Sequence, residues 1–229
     1  MRRWFIALVL FFIGFFTFYF YILSAILPYL QHLFPAVTFV TLTPLEAING
    51  YLYLCFLLAT LTVAPFILVF IYHYVKDALY KKEKHVIYFV MSRSLLILGL
   101  FLLGFLFSVF VNIYYIIPFS LRMNIFIGVQ AYWSAISVLT YMITLGIYAG
   151  LLFQVPIFVY YMLHLNLISY RVIGACRQVF LLGSLFVGAL LTPPDVISQI
   201  LFALPLVILF EVGVVSYRIR MYVNKKAYK

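Results

Sequence analysis

Carboxylates are the residues in this chain whose chemistry is hardest to reconcile with their surroundings. Five occur among 229 residues, and Asp195 and Glu211 lie beside or within the last long apolar run. A bilayer disfavours a lone carboxylate unless it faces protein, water or the polar group of a partner. Glu211 is therefore a candidate for partner binding or proton-linked chemistry, and a satisfied carboxylate inside the helix bundle is the alternative.

The other three carboxylates flank the second long apolar run. Glu46 follows Thr43 by three residues, a spacing typical of a helix N-cap and its capping-box glutamate. Asp77 and Glu83 lie in the basic segment 76–85. A solvated charge run is the default interpretation of that segment. Glu83 nonetheless stands out as one acid among bases at a membrane surface.

Uncharged polar groups interrupt the apolar runs at three more positions. Gln154 precedes Val155-Pro156, and Thr192 and Gln199 lie on either side of the Pro193-Pro194 turn. Because Pro156 has no N–H, the carbonyl of residue 152 loses its usual helical partner. Gln154 is placed to satisfy that freed backbone, or to bind a partner as the other polar residues of this set could.

Signatures of enzymes are missing from the sequence. It has no H-E-x-x-H motif, no glycine-rich nucleotide loop and no G-x-S-x-G elbow. His73 and His164 could share a haem, but capping or interfacial histidines are the favoured interpretation. Cys55 and Cys176 are interpreted as small buried hydrophobes. We expect no catalysis, no cofactor and no metal.

The elements that must position these residues are membrane spans. Hydrophobic residues make up 68% of the chain, charged residues make up 9%, and the mean hydropathy is +1.20. That leaves too little polar surface for a soluble globule of this length. Apolar stretches of about 20 residues, bounded by charge or proline, predict six spans: 4–27, 51–74, 94–117, 131–163, 178–192 and 196–217. Turns or kinks are expected at Pro44, Pro65, Pro156, Pro193 and Pro194.

The lysines and arginines predict the orientation of the spans. In the six-span arrangement, 14 of the 15 fall on the side of the two termini, and Arg122 alone falls opposite. Short basic loops are retained in the cytoplasm, so both termini are expected on the cytoplasmic or matrix side. The net charge of +10 is explained by this bias and by attraction to anionic lipid. We expect the basic residues to contact the lipid bilayer and not to bind nucleic acid.

The spans differ in length in a way that predicts the architecture. The fifth, 178–192, would form about 22 Å of helix, short of the roughly 30 Å hydrocarbon core. The fourth is long enough to tilt and to bend at Pro156. We therefore expect an all-α, cupped bundle with short helices five and six, built as a single domain over residues 1–229. The alternative is that residues 192–195 continue the fifth helix at an interface.

Several motifs together resemble a known family. The most specific stretch reads LLTPPDVISQ from Leu190 to Gln199 and continues through Ala203-Leu204-Pro205 to LFEVGV at 209–214. Supporting matches are Ala64-Pro65, ALYKKE at 78–83, FQVP at 153–156 and TPLE at 43–46. On these motifs the chain resembles TatC, the polytopic core of the twin-arginine protein translocase, over about residues 41–217.

The resemblance implies a receptor that binds twin-arginine signal peptides of folded cargo and recruits single-span TatA-like or TatB-like partners. In the family, the acid of the Leu-Tyr-Lys-x-Glu loop helps to bind the paired arginines. Glu83 matches that acid, with Lys81 and Lys82 beside it. Thr192 and Gln199 match the docking cluster for a polar side chain on the partner helix, and we add Glu211 and Gln154 to the docking candidates. A homo-oligomer is also expected.

Two features depart from the family pattern. TatC proteins usually carry a His-x-x-Glu-Leu motif before the first span, whereas only Met1-Arg2-Arg3 precede Trp4 here. The acid often found before Val-Pro in the fourth span is Gln154 here. With 25 Phe and 20 Tyr, these features favour a mitochondrially encoded member in the mitochondrial inner membrane. A bacterial plasma membrane or a plastid thylakoid is the alternative location.

Other functional classes remain open at this point. A proton or small-solute transporter using Glu211 would require paired inverted repeats and a second intramembrane charge. A structural subunit of a respiratory complex would fit the aromatic-rich composition. The translocase receptor, working with the proton-motive force, is the function that the motifs favour.

Overall fold

The structure is a computed structural model that describes residues 2–35, 37–41, 43, 45–75, 94–165, 167–169, 172–191 and 196–227. Most of these residues are helical, because a chain in lipid must satisfy its backbone groups within its own segments. The helices are α1 (Arg2–Leu33), α2 (Glu46–Val75), α3 (Ser94–Val111), α4 (Ile117–Phe126), α5 (Ala135–Leu152), α6 (Val155–His164), α7 (Ile173–Leu191) and α8 (Val196–Ala227). A π-helical turn, Asn112–Ile116, joins α3 to α4, and two short strands are β1 (Thr38–Phe39) and β2 (Tyr132–Trp133).

The predicted spans correspond to these helices. Five helical segments of the described chain are long and apolar enough to cross a membrane: Leu8–Leu30, Glu46–Val63, Ser94–Phe126, Ala135–His164 and Val196–Tyr222. The sixth apolar helix is the shorter Cys176–Leu191 within α7. The all-α, polytopic membrane fold is thereby confirmed. The predicted end of the fifth span at residue 192, and the alternative that residues 192–195 continue its helix, lie outside the described residues.

The prediction of a short sixth span is wrong. It was expected to end at residue 217, but α8 runs for 32 residues from Val196 to Ala227. Pro205 lies inside α8 without ending it. The third span is also longer than expected, because the π-helical turn and α4 extend it to Phe126.

The fourth span is interrupted where a bend was expected. α5 ends at Leu152, Phe153 and Gln154 form a turn, and α6 begins at Val155. Pro156 lies in the first turn of α6, where its missing N–H costs no helical hydrogen bond. α2, by contrast, continues through Pro65, so that proline does not end a helix.

Two compact units make up the structure. The first consists of Met1–Arg93 and Asn124–Tyr141, and the second consists of Ser94–Met123 and Met142–Lys229. The single domain over residues 1–229 therefore stays a prediction.

In the first unit, α1 packs along α2. The rings of Phe11 and Phe66 meet edge to face with centroids 4.9 Å apart, and Tyr51 donates its hydroxyl hydrogen to the carbonyl of Phe20. β1 and β2 pair in parallel, with Thr38 opposite Tyr132. These contacts tie the segment after α1 to the segment before α5.

In the second unit, glycines bring helix backbones close together. Gly146 and Gly150 of α5 lie against the rings of Phe105 and Phe101 of α3. A Cβ atom added at either glycine would lie 2.6 Å from the nearest ring carbon. Gly213 of α8 lies against the backbone of Pro156 in α6. Small residues at such crossings allow the dispersion contacts that hold helices together in lipid.

Candidate functional site

Several of the predicted site residues lie outside the described part of the chain. They are Lys81, Lys82 and Glu83 of the basic segment, and Pro44, Thr192, Pro193 and Pro194 of the turns. Gln154, Gln199, Glu211 and Pro156 are described, and all four belong to the second unit.

Gln154 links the fourth span to the third. Its side-chain Nε2 donates to the carbonyl oxygen of Ile97 in α3 at 2.9 Å. The interpretation that it satisfies the carbonyl of residue 152 is therefore wrong, because the side chain points across to a neighbouring helix. Its Oε1 is buried and accepts no hydrogen bond within the described residues. Burying a carbonyl oxygen without a hydrogen bond lowers stability, so this atom is an acceptor that a further donor could satisfy.

Gln199 links the sixth span to the fifth. Its Nε2 donates to the carbonyl oxygen of Leu185 in α7 at 3.0 Å. Its backbone carbonyl lies opposite Gly188, where a methyl group would come within 2.8 Å of it. The close backbone approach explains how a glutamine side chain reaches across to α7. The side chain is half-buried, so its amide remains near the surface of the helix pair.

Glu211 is held by an ion pair that composition and spacing did not predict. Arg177 of α7 donates from Nε to Oε1 at 2.6 Å and from Nη2 to Oε2 at 2.8 Å. This is the two-pronged geometry in which arginine recognises a carboxylate best. The side chains are 50% and 38% exposed, respectively. The contact favours the interpretation of Glu211 as a carboxylate satisfied within the bundle.

The fifth span predicted from the sequence, 178–192, begins one residue after Arg177, so the pair was not predicted. α7 begins at Ile173, so Arg177 lies one turn inside the helix. A usable signal in the sequence is that Arg177 stands directly before the fifth apolar run, while Glu211 is the one acid inside the next run.

The three described docking candidates, Gln154, Gln199 and Glu211, are bonded to different groups. Gln199 and Glu211 are 12 residues apart on α8, about 18 Å along its axis. Gln154, Gln199 and Glu211 each bond to a different backbone or side-chain partner. These three side chains, called the polar points below, are therefore held by three different contacts.

A second buried amide lies in the π-helical turn of the third span. Asn112 is fully buried, and its Nδ2 donates to the carbonyl oxygen of Ser108 at 2.9 Å. Its Oδ1 accepts no hydrogen bond within the described residues. Asn112 is not among the residues predicted from the sequence, although a lone amide in a run of apolar residues is a usable signal.

At the end of the fourth span, aromatic and basic side chains meet. Arg220 of α8 donates to the hydroxyl of Tyr160, and Tyr160 stacks on His164 with ring centroids 5.9 Å apart. Tyr217 meets Tyr160 edge to face at 6.3 Å. His164 is thus packed against this aromatic group.

Comparisons with known proteins agree with this architecture. The family model described as Sec-independent protein translocase protein (TatC) matches residues 1–205. The chain is 26% identical over 237 residues to the Sec-independent protein translocase protein TatCy of Bacillus subtilis strain 168, covering 100% of this chain and 87% of that protein. It is 34% identical over 174 residues to TatC of Escherichia coli strain K12, covering 75% of this chain and 64% of that protein.

A solved structure shares the fold. The crystal structure described as the twin arginine translocase receptor TatC superposes with a TM-score of 0.66 at 23% identity, covering 95% of this chain and 96% of that one.

Proposed function

The chain belongs to the TatC family of Sec-independent protein translocase proteins, and we propose that it is the signal-peptide receptor and scaffold of a twin-arginine translocase. The observation that carries the proposal is the family match over residues 1–205 of a six-span chain. In this role the protein binds the twin-arginine signal peptides of folded cargo and recruits single-span partners. Transport is then driven by the proton-motive force. The match favours this function over a transporter or a respiratory subunit.

Recognition of the signal peptide is proposed for the basic segment that follows α2. Glu83 is an acid among Lys81, Lys82 and Lys84. A carboxylate accepts two parallel hydrogen bonds from a guanidinium, whereas the lysines repel cations that lack this geometry. A pair of arginines would therefore bind at Glu83 with more selectivity than a diffuse acidic patch provides.

Docking of a partner helix is proposed for the polar points of the last three spans. The side-chain Nε2 of Gln199 donates to the backbone carbonyl of Leu185. The side-chain Oε1 of Gln199 is suited to accept a hydrogen bond from a polar side chain on a second helix. Thr192 lies seven residues earlier and would extend the same surface. Gln154 adds the buried Oε1 acceptor. A hydrogen bond of this kind contributes about 0.6 to 2 kcal/mol in lipid, enough to set register.

Glu211 takes an indirect part in this docking proposal. Its carboxylate is already engaged by Arg177, so a partner would meet a paired group rather than a lone charge. The pair supports docking by holding α7 against α8, the two helices that carry Gln199 and its bonding partner.

Two further aspects concern the setting of the protein. We propose that copies of the chain assemble with one another, as a scaffold that gathers several partners requires. The protein is an integral membrane protein, and its aromatic-rich composition supports the mitochondrial inner membrane. The bacterial origin of the curated relatives favours a plasma membrane instead, and fractionation of the source cells decides between them.

Site-specific photocrosslinking in the native membrane tests the function. A photoreactive residue at position 84, next to Glu83, is expected to capture a twin-arginine precursor, and one at position 200, next to Gln199, is expected to capture a single-span protein. Both positions leave the proposed binding side chains in place. A precursor in which both arginines are replaced by lysine is the control for position 84. Equal capture of the two precursors would contradict recognition by Glu83, and capture of respiratory subunits at both positions would contradict the translocase function.

A further inference from the structure

An apolar groove of about 650 Å³ lies among α6, α7 and α8 of the second unit. Phe158 and Val159 contribute one wall, Cys176 and Phe180 a second, and Phe210 a third. The rings of Phe180 and Phe210, both in its lining, stack with centroids 4.6 Å apart. Of the docking candidates that the structure describes, none lines this groove.

Among the described residues, the lining of the groove is apolar. Ser184 is the one hydroxyl-bearing residue among these described lining side chains, and it donates to the carbonyl of Leu181 in its own helix at 2.8 Å. The remaining lining atoms come from aliphatic, aromatic and sulfur-containing side chains and from Gly183. The described part of the lining therefore recognises a ligand by shape and dispersion contacts.

The position of the groove matches one leaflet of a bilayer. Its α7 wall extends from Cys176 to Val187, about 16 Å of helix, close to half of the roughly 30 Å hydrocarbon core. One end reaches Ile168 and Val172, in the connection between the fourth and fifth spans, which faces the side of the chain termini. Phe158 and Val179 on its rim are 63% and 71% exposed, so the groove opens toward the lipid.

The volume of the groove, about 650 Å³, falls in the range of about 300 to 1,000 Å³ that holds a small ligand. The apolar ligand that a bilayer supplies at this depth is a fatty acyl chain.

We propose that this groove binds one acyl chain of a phospholipid from the leaflet on the side of the chain termini. Since lipid tails are as apolar as leucine, the binding is driven by packing rather than by the hydrophobic effect. An unfilled groove would deprive Phe180, Val159 and their neighbours of contacts on one side. The bound chain completes the packing of the short α7 between α6 and α8. This proposal does not rest on the translocase function.

Photolabelling with a lipid tests the proposal on the full-length protein in vesicles. The probe is phosphatidylcholine that carries a diazirine midway along one acyl chain, and labelled residues are located by peptide mass spectrometry. Label is expected to be severalfold enriched on the groove wall around Cys176 and Phe180 relative to Leu95 and Leu106 of α3, which are 83% and 65% exposed. Equal labelling of the groove and of α3 would overturn the proposal.

A second test fills the groove with a side chain. A Cβ built at Gly183 meets no other atom within 4 Å, so Gly183→Leu places its side chain in the groove without displacing the fold. It is expected to lower groove labelling severalfold. Gly99→Leu is the matched control, because position 99 is equally open and lies outside the groove, and it should leave groove labelling unchanged.

Persistent groove labelling in Gly183→Leu would also overturn the proposal. In native membranes, a photoreactive residue at position 180 distinguishes the occupants. Adducts with phospholipid support an acyl chain, whereas adducts with a single-span protein identify a partner helix and overturn the assignment.

Discussion

Arg177 and Glu211 join the fifth and sixth spans by two charge-assisted hydrogen bonds, of 2.6 Å and 2.8 Å. The pair crosses from α7, a helix with only 16 residues in its apolar part, to α8, which is long enough to span alone. A short span gains little from the bilayer, so contacts with its neighbours must hold it in place. This ion pair is one such contact, and the Phe180–Phe210 stack is another.

Replacing one member of the ion pair should lower stability more than replacing both members. We expect Arg177→Met to lower stability by about 1 to 3 kcal/mol, because it leaves the Glu211 carboxylate without its counter-charge near the membrane. The double variant Arg177→Met with Glu211→Met should recover part of that loss. Thermal unfolding in detergent micelles measures both. Strictly additive losses would show that the two side chains do not interact.

Glu83 should matter for signal-peptide binding and not for the fold. We expect Glu83→Ala to weaken binding of a twin-arginine peptide about tenfold or more, as the loss of a charged hydrogen bond implies. Asp77→Ala, an acid of the same segment, is the matched control and should bind almost as the unchanged protein does. Peptide binding to protein in nanodiscs provides the measurement. If both variants bind alike, net charge rather than Glu83 governs recognition.

Gln199 should govern attachment of a single-span partner. Gln199→Leu is expected to reduce co-purification of that partner about three- to thirtyfold, the range that corresponds to one hydrogen bond in lipid. Ser216→Ala is the control on the same helix, because the Ser216 hydroxyl donates to Val212 within α8. Quantitative mass spectrometry measures the amount of the single-span partner that co-purifies with each variant. Equal loss in both variants would point to a general change in α8.

Gly213 should not tolerate a methyl group. A Cβ there would lie 2.7 Å from the carbonyl oxygen of Pro156, a backbone atom that cannot turn aside. Gly213→Ala is therefore expected to destabilise the protein by about 1 to 3 kcal/mol despite its better helix propensity. Gly183→Ala, where the Cβ meets no atom within 4 Å, should be neutral or slightly stabilising. Thermal unfolding of the pair tests this packing, and equal melting temperatures would refute it.

Asn112 should be replaceable by an apolar residue of similar size. Asn112→Leu removes the unsatisfied Oδ1 together with the bond from Nδ2 to Ser108, so the two effects offset each other to within about 1 kcal/mol. Asn112→Asp puts a charge in the same buried position and should cost about 3 kcal/mol. The difference between the two melting curves at neutral pH checks the prediction. A large loss in Asn112→Leu would mean that the amide has a partner, such as a bound water.

The sequence by itself determined the class, the six spans and the family, because hydropathy and loop charge depend on composition along the chain rather than on contacts. It also located the break at Pro156, since a proline without an N–H acts on its own helix. Which groups meet was decided by the tertiary structure. Gln154 bonds to Ile97, and Glu211 bonds to Arg177, across 57 and 34 residues of sequence.

Such contacts depend on how each helix is rotated about its axis, and in lipid the outward and inward faces of a span are both apolar. The sequence pattern therefore carries little information about rotation, and it could not show which polar side chains would be satisfied inside the bundle. Close packing at glycines such as Gly213 and Gly188 sets those rotations, and with them the polar points that remain for a partner.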